Sequence, residues 1–153
     1  MKNKKAMKIL LATDGSVHSI AAVEEVARRP FPLNTKVHIV SVYERPRLIT
    51  TMAPMGVLNE YNAEIDEYAL KAAEDATENA SKILHEKNPT LTITTAVIEG
   101  TPKSVILNEA ETFGADLIVI GSHGGGAVER FLLGSVSQAV ALHAKCSVEI
   151  VRK

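Results

Sequence analysis

Cysteine is almost missing from this chain. Cys146 is the single one in 153 residues, so no disulfide can form within the chain, and no metal site can be built from several cysteines. A reducing compartment suits such a chain. Charge of one sign is not in excess either: 17 Lys and Arg against 18 Asp and Glu leave a formal net charge of −1. The basic surplus expected of a protein that binds DNA, RNA or an anionic membrane is therefore not there. No apolar run approaches the roughly 18 to 20 residues that a bilayer-crossing helix requires. The stretch from Met1 to Asp14 begins basic, but Lys8 interrupts its apolar part and Asp14 ends it, too short for a secretory signal. It reads as a first strand. These absences lead us to expect a soluble, cytoplasmic protein with neither nucleic acid nor membrane as its partner.

What is present is a hydrophobic content of 46%, enough for 1–153 to form a single domain around its own core. Ile9 to Thr13 is a short apolar run closed by Asp14-Gly15-Ser16, and apolar residues at 20, 23, 26 and 27 then mark a helix. Lys36 to Tyr43 and Leu91 to Ile98 are rich in β-branched residues and predict strands. Between them, apolar positions from 58 to 84 step by threes and fours, the signature of a long helix ending before Asn88-Pro89. A further helix is expected over 103–113, a strand over 117–120, a helix over 136–144 and a last strand over 147–151. The order β-α-β-α-β-α-β-α-β, with several continuously apolar strands, predicts an α/β fold: a five-stranded parallel sheet with helices on both faces. The segment 44–59, with two prolines and two methionines, reads as a surface connection with a mobile lid as the alternative.

Chemistry is expected where strands end, because open α/β sheets bind ligands outside the carboxyl ends of their strands. Thr13-Asp14-Gly15-Ser16 follows the first strand. Gly121-Ser-His-Gly124-Gly-Gly-Ala-Val-Glu-Arg-Phe-Leu-Leu-Gly134-Ser135 follows the fourth and leads into a helix. Glycines let backbone amides approach a ligand, and a helix start offers unpaired N–H groups and a positive dipole end, a combination suited to phosphate. Familiar phosphate motifs do not fit. A Walker loop needs Lys and Ser or Thr straight after its last glycine, whereas Ala127-Val128 follows Gly126. The dinucleotide fingerprint needs three spaced glycines in the first strand-to-helix turn, which has only Gly15. A receiver domain would show an acidic pair after the first strand and an Asp after the third.

The spacing Gly121-x2-Gly124-x9-Gly134-Ser135 resembles the nucleotide motif of the universal stress protein family, of its ATP-binding type. The likeness extends along the chain, through Ile9-Leu-Leu-Ala-Thr-Asp-Gly-Ser16, Ser41-Val-Tyr43, Gly100-Thr-Pro102, Ala115-Asp-Leu-Ile-Val-Ile-Gly-Ser-His-Gly124 and Val148-Glu-Ile-Val-Arg152. It implies a Rossmann-like fold of the adenine nucleotide alpha hydrolase-like kind and an ATP, ADP or AMP ligand, with magnesium or manganese as a companion ion. It also implies a regulatory, stress-response role as a homodimer joined through the final strand, 147–151, acting on a protein partner that the sequence does not identify. The alternatives are a weak ATPase or phosphotransferase and a nucleotide-independent dimeric adaptor; no catalytic residue is assigned.

Carried onto this sequence, the resemblance gives the phosphates to Gly124, Gly134, Ser135 and Val136, while Ser135 as a simple N-cap is the plainer reading. Asp14 would take the ribose hydroxyls or help to hold the metal ion, against a plain turn-forming role in which it bonds its own backbone two residues on. Ala12 and Thr13 would line the pocket, Val42 would read adenine through its backbone, and Ile120 and Gly121 would complete the wall. His123 offers a phosphate donor or an acid or base, or is an ordinary loop histidine. Arg130 is a solvated arginine within possible reach of the phosphates. His18, His38, His85 and His143 show no metal-ligand spacing and read as surface or packed residues. Gly125 and Gly126 stand where many relatives carry bulkier residues, often arginine first, which leaves the loop one cation fewer.

Overall fold

A computed structural model describes residues 5–45, 54–125 and 133–153. Nine elements alternate along it: β1 (Lys8–Ala12), α1 (Val17–Arg28), β2 (Lys36–Tyr43), α2 (Met55–Lys87), β3 (Thr92–Glu99), α3 (Pro102–Phe113), β4 (Leu117–Gly121), α4 (Ser135–His143) and β5 (Ser147–Val151). The five strands form one parallel sheet in the order β3-β2-β1-β4-β5. Ile9 pairs with Val37 on one side and with Leu117 on the other. The winding direction therefore reverses between β1 and β4, and a crevice opens there beyond the strands' carboxyl ends.

Strand alternation sorts the apolar side chains into two cores. Ile9, Leu11, Val37, Ile39, Leu117 and Val119 face α1 and α2, joining Val23, Val26, Ala80 and Leu84. Leu10, Ala12, Val40, Ile118 and Ile120 face the other way, against Ile106 and Ala110 of α3 and Val140 of α4. Ile9, Leu10, Leu11 and Ile118 are wholly inaccessible to solvent, as the continuous apolar runs of a doubly covered parallel strand require.

Boundaries depart from expectation by a residue or two for local reasons. α3 begins at Pro102, which tolerates the first helical position because its missing N–H would be unpaired there. It ends at Gly114 in the left-handed conformation, φ 68°. The long helix α2 starts at Met55 rather than near residue 58, so the connection from β2 is shorter than the 44–59 expected. The remainder of that connection, 46–53, and with it the lid alternative, lies outside the described residues. No helix among the described residues is long and apolar enough to cross a membrane.

Candidate functional site

The crevice begins at β1. Thr13 continues the strand, its N–H donating to Val40 O at 3.0 Å, and Gly15 then turns the chain with φ 79°, a conformation that a side chain would strain. Ser16 caps α1 by accepting from Ser19 N–H. The Ser19 hydroxyl donates to Ser16 O at 3.0 Å and lies 3.1 Å from Thr13 Oγ1, so the turn is held from inside.

Asp14 closes the turn and reaches across the crevice. Its Oδ1 accepts from Ser16 N–H at 2.9 Å, the two-residue Asx turn expected of a turn-forming Asp. Its Oδ2 accepts from Gly125 N–H at 3.0 Å, 111 residues away in sequence. Burial works against the charged form, but the Ser16 hydroxyl and N–H and the Gly125 N–H outweigh it and hold the carboxyl below its ordinary range. Asp14 and the glycine segment thus face each other directly.

On the β4 side, Gly121 is the point of closest approach. A Cβ there would lie 2.6 Å from the carbonyl carbon of His18 and 2.8 Å from Ser19 N, so only glycine lets α1 rest on the end of β4. Buried Ser122 donates its N–H to Val151 O and accepts through its carbonyl from Gly134 N–H (2.7 Å) and from the Ser137 hydroxyl (2.8 Å). The Ser122 hydroxyl lies 3.0 Å from His123 Nδ1 and 3.3 Å from His18 Nδ1. One hydroxyl therefore stands between two imidazoles, able to donate its proton to one ring and to accept through its oxygen from the other.

Gly134, extended at φ −70° and ψ 161°, is the N-cap of α4 and supplies no side-chain cap. Ser135 is thus the first helical residue, not the cap, and is exposed. The hydroxyl that does tie down this helix start is that of Ser137, which also donates to Gly134 O at 3.0 Å. The first-turn amides of α4 are left without a capping side chain, at the positive end of its dipole.

A cavity of about 490 Å³ lies between these segments. All eleven residues singled out from the sequence line it: Ala12, Thr13 and Asp14 from the β1 end, Val42 from β2, Ile120, Gly121, His123 and Gly124 from β4 and its loop, and Gly134, Ser135 and Val136 from the start of α4. The arrangement has a polar end, where Asp14, Gly124 and the α4 amides meet, and an apolar end formed by Val40, Val42, Ile106 and Ile120. Ser19, Val40, Pro102, Ile106, Leu133 and Ser137 also line it and were not singled out. Spacing could have flagged two of them, since Ser19 and Ser137 each fall three residues after a helix cap. Arg130 and Gly126 lie outside the described residues. His18 lies beside the site, its ring centroid 5.0 Å from that of His123, whereas His38 and His85 sit elsewhere: His38 Nδ1 is 2.8 Å from Thr94 Oγ1 and its Nε2 3.3 Å from Glu109, while His85 Nδ1 donates to Ser81 O.

A phosphate fits the polar end physically. A Cβ on Gly124 would come within 3.1 Å of Asp14 Oδ2, and one on Gly134 within 3.2 Å of Ser122 O, so the bare backbone keeps the cradle open. A divalent ion finds less, because among the described residues no three His, Cys, Asp or Glu side chains gather. Asp14 alone could reach it, leaving phosphate and water oxygens to complete the sphere.

The sequence profile of the universal stress protein family matches residues 5–152. Universal stress protein YxiE of Bacillus subtilis is 32% identical over 152 residues, covering 95% of this chain and 98% of its own. Among solved structures, universal stress protein UspA from Lactobacillus plantarum superposes with a TM-score of 0.70 at 25% identity, over 98% of this chain and 100% of its own. A universal stress protein in complex with cAMP shares the fold at 24% identity and a TM-score of 0.62 (96% and 97% covered). An Arabidopsis thaliana family member with AMP bound shares it at 19% and 0.61 (96% and 92% covered). Its fold is the Rossmann-like, adenine nucleotide alpha hydrolase-like one, and the chain belongs to the universal stress protein family.

Proposed function

We propose that this protein binds an adenine nucleotide in the crevice between β1 and β4 and works as a nucleotide-sensing stress-response regulator. The observation that carries the reading is the start of α4: amides without a capping side chain, at a positive dipole end, opposite Asp14 across a cavity with one polar and one apolar end. In this reading the amides of Gly124, Ser135 and Val136 receive the phosphates, Gly134 shapes the cradle with its own N–H held by Ser122 O, and His123 adds a donor. Asp14 accepts from the ribose hydroxyls. Adenine lies on Ala12, Val42 and Ile120 and is read by the Val42 backbone, with Gly121 and Thr13 walling the turn. ATP, ADP and AMP share the nucleoside end and differ in how far they extend along α4. Magnesium or manganese, when bound, would be held by Asp14 in place of the ribose contact and would offset phosphate charge. The relatives crystallised with cAMP and AMP support an adenine nucleotide as the ligand class.

The signalling form in this reading is a cytoplasmic homodimer joined through β5, with a protein partner reading the nucleotide state. Asp14 and His123 are the groups on which slow hydrolysis would depend, and an unchanged rate of phosphate release in Asp14→Ala and His123→Ala rules against it.

The test is to denature freshly purified protein and identify the released small molecule by mass spectrometry, with equilibrium dialysis against ATP and AMP beside it. A nucleotide at 100 times its dissociation constant stabilises the fold by about 2.7 kcal/mol. No adenine nucleotide released, and none retained at millimolar concentration, refutes the proposal. Gly134→Val separates sensor from adaptor, because an adaptor keeps its partners when the phosphate cradle is filled.

A further inference from the structure

The two edges of the sheet are guarded differently. β5 carries a charge, Glu149, held by Arg29 at 2.7 and 2.6 Å. β3, at the opposite edge, runs eight residues, and from Thr92 to Ile98 it has no charge, no proline and no glycine, none of the devices that blunt an open edge. Among the described residues, no strand pairs with its outer side. Two bonds fix which groups face outward. Thr92 N–H donates to Thr35 O and Gly100 N–H to Tyr43 O, so even-numbered residues turn their amides toward β2, while Ile93, Thr95 and Val97 turn theirs outward.

Beside that edge lies a groove of about 500 Å³ lined by Thr95 and by Thr77, Glu78, Ser81, Lys82 and His85 of α2. Neither Glu78 nor Lys82 joins an ion pair within the chain, among the described residues.

We propose that β3 is a self-association edge, on which a second copy of this chain pairs antiparallel across a two-fold axis through Thr95 and continues the sheet. Hydrogen bonding fits: Thr95 meets Thr95 of the second copy, and Ile93 meets its Val97, each pair exchanging outward N–H and C=O groups. Spacing fits as well. α2 packs over β2 and β3, and strands lie about 4.8 Å apart, so the two α2 helices over the joined sheet come about 10 Å apart, a helix-packing distance. Charge fits, because Thr95 lines the same groove as Glu78 and Lys82 of α2. The two-fold axis runs the two α2 segments antiparallel, so Glu78 of each copy approaches Lys82 of the other, two reciprocal ion pairs of the kind an isologous interface produces. Small Thr77 and Ser81 leave room between the helices. The surface lies at the edge opposite β5 and is independent of the nucleotide crevice.

The test is sedimentation velocity of the full chain at low salt. Thr95→Pro removes one outward N–H and leaves the ladder to β2 intact, while Lys82→Glu sets like charges together twice. Wild type is expected to sediment ahead of Thr95→Pro, because β3 pairing adds to whatever β5 joins, and Lys82→Glu is expected to raise the dissociation constant of this contact about tenfold. The double variant Glu78→Lys with Lys82→Glu restores it, a rescue that a merely destabilised fold would not show. If Thr95→Pro fails to fold, the charge series still decides. Wild type sedimenting with Lys82→Glu, or a loss that the swap does not restore, overturns the proposal.

Discussion

Replacing Gly121 by alanine tests whether the crevice is shaped by backbone contact. The added Cβ would lie 2.6 Å from His18 C, 2.7 Å from His18 O and 2.8 Å from Ser19 N. All three are main-chain atoms in the first turn of α1, with no flexible side chain to swing aside. Overpacking of this kind costs roughly 1–3 kcal/mol, and rigid neighbours place it in the upper half of that range. Against it stands the loss of unfolded-chain entropy on replacing glycine, worth about 0.4–1 kcal/mol. The clash wins, for a net loss of about 2 kcal/mol. For a chain of 153 residues that lowers the melting temperature by roughly 4–8 °C. Gly124→Ala is the control. Its Cβ meets only Asp14 Oδ2, at 3.1 Å, the end of a side chain that can rotate, so stability should stay within about 0.5 kcal/mol of wild type while adenine-nucleotide binding weakens. Urea denaturation with nucleotide titration on both variants separates the two effects. A Gly121→Ala protein as stable as wild type, or one that loses less than Gly124→Ala, refutes the account of how β4 and α1 meet.

Three further outcomes follow from individual contacts. Asp14 has a folded pKa below its ordinary value of 3.8, so its ionised form contributes stability that is present above that value and lost as pH falls through the lower, folded one. Asp14→Asn should therefore flatten the acid limb of stability against pH below about pH 4, and an unchanged limb counts against the turn as drawn. Ser137→Ala should cost only about 1 kcal/mol in urea denaturation, because Ser122 O keeps Gly134 N–H and Gly134 O keeps Gln138 N–H; a loss above about 3 kcal/mol would mean that the hydroxyl carries more than these two bonds. Glu149→Gln should cost about 1 kcal/mol, with less difference from wild type at high salt, since it removes one arm of the Glu25–Arg29–Glu149 network; the check is thermal melting at low and high ionic strength.

The fold was legible because its signal is local and repetitive. β2 is predicted and found over Lys36 to Tyr43, and β5 over Ser147 to Val151. In both, β-branched enrichment coincides with a strand that packs on the sheet's apolar faces. Errors fall where local pattern is silent. Leu91, apolar and 6% exposed, reads as strand, yet it lies in the turn before β3, buried by the core it plugs. The start of α2 at Met55 was hidden because its first turns are exposed, with Met55 72% and Val57 57% accessible, and so lack the periodic burial that marks the rest of the helix.

The candidate site was legible by a different route. Glycine spacing and the strand ends located the crevice, since residues that terminate neighbouring parallel strands must converge in space once the sheet order is β3-β2-β1-β4-β5. What spacing could not carry was the assignment of partners within it. Asp14 realises the plain turn reading through Oδ1, while its Oδ2 holds the glycine loop, a contact across the crevice that sequence spacing did not suggest. Ser135 looked like the cap because serine is a good one, but Gly134 takes that place. The reason lies in Ser122: its carbonyl receives both Gly134 N–H and the Ser137 hydroxyl, which draws the chain in one residue earlier than a serine cap would require. A glycine fits that point most easily, since a Cβ would press within 3.2 Å of the same carbonyl. The cap that binds no side chain is thus a consequence of how tightly β4 and α4 are joined, and it leaves the amides of the helix start facing the cavity.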